Sequence, residues 1–209
     1  MKRYVVLLAI ALGIAASARS EVLSTNWTGN FANGGVVPDD DLNGLTISET
    51  PEGFIGAISD VAVTLELRGG WNGDIYAYLY HDGVMSLLLN RVGSPANAGL
   101  GYGDTGFNVT FSDAAQNSIH NYQDHSPTIV GGVVLGTWKP DGNGLSVFNG
   151  GEASGTWSLY LVDMSQGGQM TLDAWSLQVT TETVPEPSTA SIAVLVGAAL
   201  LLNRRRRVS

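Results

Sequence analysis

Apolar and polar residues alternate in several short segments along the middle of the chain. The clearest segments are residues 61–67, 107–111, 156–161 and 175–180. In an extended strand every second side chain points to the same face, so each segment gathers its apolar residues on one side. No long stretch of helical periodicity with capping residues occurs between residues 21 and 183. The pattern therefore predicts β-strands that bury one face and expose the other.

Two neighbouring segments, residues 75–80 and 84–89, are apolar on both faces. Continuous apolar character predicts strands at the centre of a sandwich. Asp82 and Gly83 separate the two segments, and an Asp-Gly pair is typical of a two-residue hairpin turn. A helical turn is predicted only at residues 113–119, with Asp113 as its N-terminal cap.

Many short strands separated by glycine-rich turns predict an all-β domain over residues 21–180. The expected architecture is an antiparallel β-sandwich or jelly roll of the galactose-binding-like kind. Trp157 and Trp175 fall on inward positions and are predicted to fill the core. Trp71 differs because glycines surround it in a corner between strands. Edge packing and stacking on a bound ligand are both open for this side chain.

Both ends of the chain have the features of processing segments. Lys2 and Arg3 precede an apolar run over residues 4–16, and Ala16-Ser17-Ala18 fits the small-residue pattern of a cleavage site. Residues 1–18 are therefore predicted to be a secretory signal peptide. At the other end, residues 181–189 form a polar linker, residues 190–202 an apolar segment and residues 203–209 a basic tail.

The apolar segment near the C-terminus is short for a transmembrane span. Its thirteen residues reach about 20 Å as a helix, against about 30 Å for a bilayer core. A short segment suits a transient anchor, and a permanent single-span anchor is the alternative. The arginines that follow are predicted to stop transfer and stay cytoplasmic; they are Arg204, Arg205, Arg206 and Arg207.

Charge is distributed unevenly along the chain. All nineteen acidic residues but only three of the ten basic residues lie within residues 21–187, so this body has a formal charge of −16. Such a body repels nucleic acid and anionic membrane surfaces, and no nucleic-acid partner is predicted.

An acidic body suits calcium, which takes about six to eight oxygen ligands. The candidate ligands are aspartates near predicted strand ends: Asp60, Asp74, Asp113 and Asp163. The three aspartates at residues 39–41 are a second candidate cluster, and solvated or turn-capping aspartates are the alternative to a metal site. The chain has no cysteine, so a thiolate metal site and a thiol nucleophile are excluded.

No catalytic residues are predicted. The three histidines are His81, His120 and His125, but neither a Gly-x-Ser-x-Gly nor a His-Glu-x-x-His sequence is present. His120 and His125 flank Asp124 in a polar segment, which is more simply a solvated loop than a metal site.

The series of strands and turns resembles the P/Homo B domain. The similar parts keep their order over residues 37–179 and include Ser59-Asp60-Val61, Trp71-Asn72-Gly73-Asp74, Gly155-Thr156-Trp157 and Leu172-Asp173-Ala174-Trp175-Ser176-Leu177. The resemblance implies a jelly-roll module of the type that follows the catalytic domain in proprotein convertases and bacterial subtilisin-like proteases. Gly69-Gly70 departs from the family, which often has His or Thr before the tryptophan.

The tail resembles a PEP-CTERM sorting signal, which exosortase enzymes of Gram-negative bacteria process. Pro185, Glu186 and Pro187 stand in the place of the sorting motif, ahead of the apolar run and the arginines. The resemblance implies an exosortase-type protease as a partner. It also implies transient residence in the inner membrane, then delivery to the cell envelope, extracellular matrix or medium.

These features together predict an exported, non-catalytic protein of the envelope or extracellular matrix that carries a binding or adhesion module. The expected ligand is an extracellular polysaccharide or a matrix protein. The alternative is an accessory domain that stabilises a subtilisin-like serine endopeptidase in trans.

Overall fold

The computed structural model describes residues 19–94 and 99–183. Within these ranges the strands are β1 Arg19–Thr28, β2 Leu45–Glu49, β3 Ala57–Gly69, β4 Ile75–His81, β5 Val84–Asn90, β6 Gly106–Ser112, β7 Thr128–Val130, β8 Val133–Trp138, β9 Trp157–Asp163 and β10 Met170–Thr183. Short 3-10 helices lie at Ala32–Gly35, Asn72–Asp74, Ile119–His125 and Ser146–Phe148. None of the described helices has the length and apolar character that a membrane span requires. The predicted signal peptide, sorting motif, apolar segment and basic tail lie outside the described residues.

The strands form two sheets. One has the order β1-β10-β3-β6-β8-β7 and the other β2-β9-β4-β5. The described registers are antiparallel except that of β6 with β8, which runs parallel from Phe107 opposite Val134 to Phe111 opposite Trp138. The connection through residues 113–132 is long enough for a parallel crossover. The predicted all-β sandwich is confirmed, with this parallel pair as a difference in detail.

Alternation along the strands directs the apolar side chains into the space between the sheets. Trp157 of β9 and Trp175 of β10 are both fully buried, as predicted. Trp175 also stacks on Trp27 of β1, with 4.3 Å between the ring centroids. Each buried indole removes a large apolar surface from water, which stabilises the fold by roughly 2–3 kcal/mol.

The structure corrects part of the prediction for residues 75–89. The hairpin is present, and both Asp82 and Gly83 have positive φ in its turn. β4 lies inside its sheet, but β5 is an edge strand. Only one face of β4 packs in the core, where Ile75, Ala77 and Leu79 are buried. The opposite face of β4 points outward.

The predicted helical turn at residues 113–119 is wrong. The 3-10 helix begins later, after Ser118, whose hydroxyl accepts a hydrogen bond from the His120 backbone N–H at 3.1 Å. The Asp113 carboxylate instead accepts the backbone N–H groups of Leu145 and Ser146, both at 2.8 Å. It therefore caps a turn distant in sequence. A second difference is that β10 continues to Thr183, through the start of the predicted linker.

Candidate functional site

The outer face of the four-stranded sheet carries no charged side chain among its described residues. Its members alternate with core residues along β2, β9, β4 and β5. We call this surface the tyrosine face. It consists of Thr46, Ser48, Tyr76, Tyr78, Tyr80, Met85, Leu87, Asn90, Ser158, Tyr160 and Val162.

Four tyrosine rings form the centre of the tyrosine face. Tyr78 lies 6.0 Å from Tyr76, 6.2 Å from Tyr80 and 6.2 Å from Tyr160, measured between ring centroids. Partial burial raises the pKa of the Tyr78 hydroxyl, and the three neighbouring tyrosines raise it further. The aromatic row thus follows β4 and extends sideways onto β9.

The hydroxyl groups of the tyrosine face are only partly engaged within the protein. Tyr160 donates to the Leu42 backbone carbonyl at 2.5 Å, and the hydroxyls of Ser48 and Ser158 are 2.8 Å apart. The hydroxyls of Tyr76, Tyr78 and Tyr80 have no hydrogen-bond partner within the described part of the chain. They are therefore free to bond to solvent or a ligand.

The outer face of the six-stranded sheet has a different character. Along β3, the positions that alternate with the core include Asp60 and Glu66, both exposed. Arg68 on the same strand forms a 2.9 Å ion pair with Asp173. Charge is therefore present on one outer face of the sandwich and missing from the described residues of the other.

Two of the four predicted calcium ligands lie close together at one end of the four-stranded sheet. Asp163 ends β9 opposite Ile75, the residue after Asp74. Both aspartates are buried, with 1% and 3% of their surface exposed. The Arg91 guanidinium is 3.8 Å from the Asp74 carboxylate.

Asp163 is held in an unfavourable environment for a charged carboxylate. The pKa of Asp163 is raised to about 6, mainly by burial and further by the charges of Asp39, Asp74 and Asp40, against the weaker opposing effect of a hydrogen bond from the Ser165 N–H. Its Oδ2 atom is buried without a hydrogen-bond partner among the described residues.

The other two predicted ligands lie elsewhere. Asp60 is exposed on β3, opposite Thr180 of β10, and Asp113 caps the turn at residues 145–146. In residues 19–94 and 99–183, no three His, Asp or Glu side chains are grouped to hold a metal ion. Calcium binding stays a prediction from the sequence.

Trp71 is 45% exposed at a corner before β4. It lines a cavity of about 200 Å³ together with Leu100 and Tyr102, smaller than the roughly 300–1,000 Å³ of typical ligand pockets. The next residue, Asn72, is fully buried. Its side chain donates to the Gly106 carbonyl at 3.1 Å and accepts the Gly106 N–H at 2.8 Å, which fixes the corner to β6.

Two histidines serve as links between backbone segments. His81 is buried and stacks on Trp157 at 3.8 Å between ring centroids. Its ring nitrogens lie 3.1 Å and 2.7 Å from the carbonyl oxygens of Thr156 and Glu152. This bonding leaves neither ring nitrogen directed at solvent.

His120 links two loops through its ring nitrogens. Nδ1 is 2.9 Å from an Asp141 carboxylate oxygen, and Nε2 is 3.1 Å from the Ser94 carbonyl. Burial raises the pKa of Asp141, and the hydrogen bond to His120 partly opposes that increase.

Sequence reasoning missed the tyrosine face. The alternation pattern counts Tyr76, Tyr78 and Tyr80 as apolar, although each ring ends in a hydroxyl that favours a partly wet position. The repeat Tyr-x-Tyr-x-Tyr at residues 76–80 was the available signal, because alternate positions share one face of a strand.

No known family model matches the chain, and no curated protein is significantly similar to it in sequence. Similar solved structures include the serine protease of Aeromonas sobria in complex with the chaperone ORF2, at 16% identity and a TM-score of 0.46, with 80% of this chain and 27% of that chain covered. The serine protease of Aeromonas sobria alone has 17% identity and a TM-score of 0.44, with 79% of this chain and 27% of that chain covered. This chain thus spans about a quarter of those chains, and the assignment of the fold rests on its own strand pairing.

Proposed function

We propose that the protein is an exported, non-catalytic binding module of the cell envelope or extracellular matrix, and that the tyrosine face is its binding surface. The observation that carries the proposal is that the described residues of that face carry no charged side chain, in a body of formal charge −16. Tyrosine enrichment with charge depletion is typical of recognition surfaces.

The exposed side chains of the tyrosine face also support a binding role. Tyr80 is 38% exposed and Met85, opposite it on β5, is 43% exposed. Contiguous exposed apolar surface on a soluble protein usually marks a contact site. The predicted signal peptide and sorting tail supply the route by which such a module reaches an extracellular ligand.

The test uses the full chain in the bacterium that encodes it. Intact mass spectrometry of the membrane, matrix and medium fractions should find a species that begins near Arg19 or Glu21 and ends near residues 185–188. A membrane species that still contains Arg204 to Arg207 would contradict sorting and leave a tethered domain.

Binding is tested in the same fractions with two charge variants. Tyr80→Glu places a carboxylate on the tyrosine face, and Gln178→Glu places one on the outer face of β10, where Gln178 is exposed. Wild type and Gln178→Glu should remain with the matrix, whereas Tyr80→Glu should appear in the medium. Equal retention of all three proteins would refute the tyrosine face as the binding surface.

The alternative from the sequence, an accessory domain for a subtilisin-like protease, gives a different result. The wild-type protein would then co-purify with such a protease and raise its thermal stability. Retention on the matrix would not depend on Tyr80.

A further inference from the structure

The tyrosine face has the properties of a surface for a long, thin ligand. Tyr76, Tyr78 and Tyr80 occupy successive outward positions of one strand, with ring centroids 6.0 and 6.2 Å apart. Tyr160 widens the row at its middle. Aromatic surface is thus continuous along β4, as an extended chain requires and a compact small molecule does not.

Charge selects the class of ligand. The described residues of the tyrosine face include no Lys or Arg to hold a carboxylate, sulfate or phosphate. The body, at −16, repels polyanions at low ionic strength. The described residues of the face include no carboxylate either, so they offer a cationic ligand no ion pair. The face is therefore suited to an uncharged ligand.

The polar groups of the face indicate which kind of uncharged ligand it fits. Besides four tyrosine hydroxyls, the face carries the hydroxyls of Thr46, Ser48 and Ser158 and the amide of Asn90. A hydroxyl has one donor and two acceptor sites, so the pair formed by Ser48 and Ser158 keeps unused bonding capacity. Apolar rings interspersed with hydroxyls match a sugar ring, which presents C–H groups beside hydroxyls of its own.

The loop before β2 lies beside this surface at Tyr160. The Leu42 carbonyl accepts the Tyr160 hydroxyl, and the Leu42 side chain is 71% exposed.

We infer that the tyrosine face binds a neutral polysaccharide laid along β4. This inference rests on the proposed function, because it names the ligand of the same surface. Binding draws on the rings of Tyr76, Tyr78 and Tyr80 for apolar contact and on their unpaired hydroxyls for hydrogen bonds.

The test measures binding of the full chain by affinity gel electrophoresis. The neutral probes are amylose, hydroxyethyl cellulose and dextran, and alginate is the anionic control. Wild type should be retarded by at least one neutral probe and not by alginate. Tyr78→Ala and Tyr80→Ala should each weaken that binding about tenfold, as the loss of a central aromatic contact usually does.

Trp71→Ala is the matched control, because it removes an exposed aromatic ring outside the tyrosine face. It should bind as wild type does. Thermal melting identifies any variant that is not folded, and Tyr80→Ala is the safer substitution because Tyr80 is 38% exposed. Loss of binding in Trp71→Ala with retention in both tyrosine variants would overturn the inference.

The remaining outcomes separate this inference from the proposed function. If no neutral probe binds while Tyr80→Glu is still released from the matrix, the tyrosine face is the binding surface, as proposed, but its ligand is not a neutral polysaccharide. If wild type forms dimers that Tyr80→Glu dissociates and no probe binds, a second copy occupies the face and the inference fails. If matrix retention does not depend on Tyr80, both proposals fail.

Discussion

Replacement of Asp163 by asparagine is expected to stabilise the protein at neutral pH. Asp163 is 1% exposed, and its Oδ2 atom has no hydrogen-bond partner among the described residues. Ionisation therefore leaves a buried negative charge near three other carboxylates, Asp39, Asp74 and Asp40, whose charges oppose it. Asparagine has nearly the same shape and carries no charge.

The magnitude follows from the pKa of Asp163, which the folded environment raises from 3.8 to about 6. Below both values the side chain is protonated in the folded and unfolded states. Between them the folded protein keeps a proton that the unfolded chain releases, so stability falls as pH rises. Two pKa units correspond to about 3 kcal/mol. The cost is complete above pH 6 and absent below about pH 4.

The assay is urea unfolding of wild type and Asp163→Asn between pH 4 and pH 7 in the presence of a chelator. The difference in unfolding free energy should grow in favour of the variant by about 3 kcal/mol over this range. Asp60→Asn, which removes an exposed carboxylate on β3, is the matched control. Parallel curves for wild type and Asp163→Asn would refute the reasoning.

Wild type and Asp163→Asn also test calcium binding. The sequence predicts four calcium ligands, and two of them, Asp74 and Asp163, lie close together. If calcium binds there, added calcium should raise the melting temperature of wild type and not of Asp163→Asn. Equal melting temperatures with calcium and with chelator would exclude a stabilising site there.

Two further substitutions test the links between distant segments. Asp113→Ala removes a carboxylate that accepts two backbone N–H groups at 2.8 Å, so urea unfolding should show a loss of about 2 kcal/mol, with a smaller loss for Asp113→Asn; an unchanged midpoint would contradict this role. Asn72→Ala leaves the N–H and carbonyl of Gly106 without their side-chain partner and should cost about 2–4 kcal/mol. Asn72→Gln introduces a side chain one methylene longer into a fully buried site and should not restore stability.

The strands most faithfully predicted are those with a strong contrast between faces. In β10, Trp175, Leu177 and Val179 are buried, and Gln178 between them is exposed. One buried face and one wet face leave a clear period of two in the sequence. This is why the pattern alone was sufficient there.

In β4 the alternation of apolar and polar residues does not predict which side chains are buried. Ile75 and Tyr76 both count as apolar residues, yet Ile75 is buried in the core and Tyr76 is partly exposed. An aromatic outer face removes the contrast on which the prediction depends. Sequence pattern therefore suggested a strand covered on both sides and concealed the candidate binding surface.

The acidic end illustrates a second limit. Asp39 and Asp163 are far apart in sequence, and the Asp39 carboxylate accepts the Gly167 N–H in the loop that follows Asp163. Local pattern predicts which residues sit near strand ends. It does not predict which ends meet, because that depends on strand order.

The position of β10 between β1 and β3 has a consequence for how the molecule acquires its structure. Val179 pairs with Val61 and Leu177 with Val63, so the largest sheet is joined through contacts between residues distant in the sequence. High contact order makes such pairing slow, because the entropy of closing long loops is lost before the contacts form. A growing chain therefore cannot join β1 to the rest of this sheet until β10 has been synthesised.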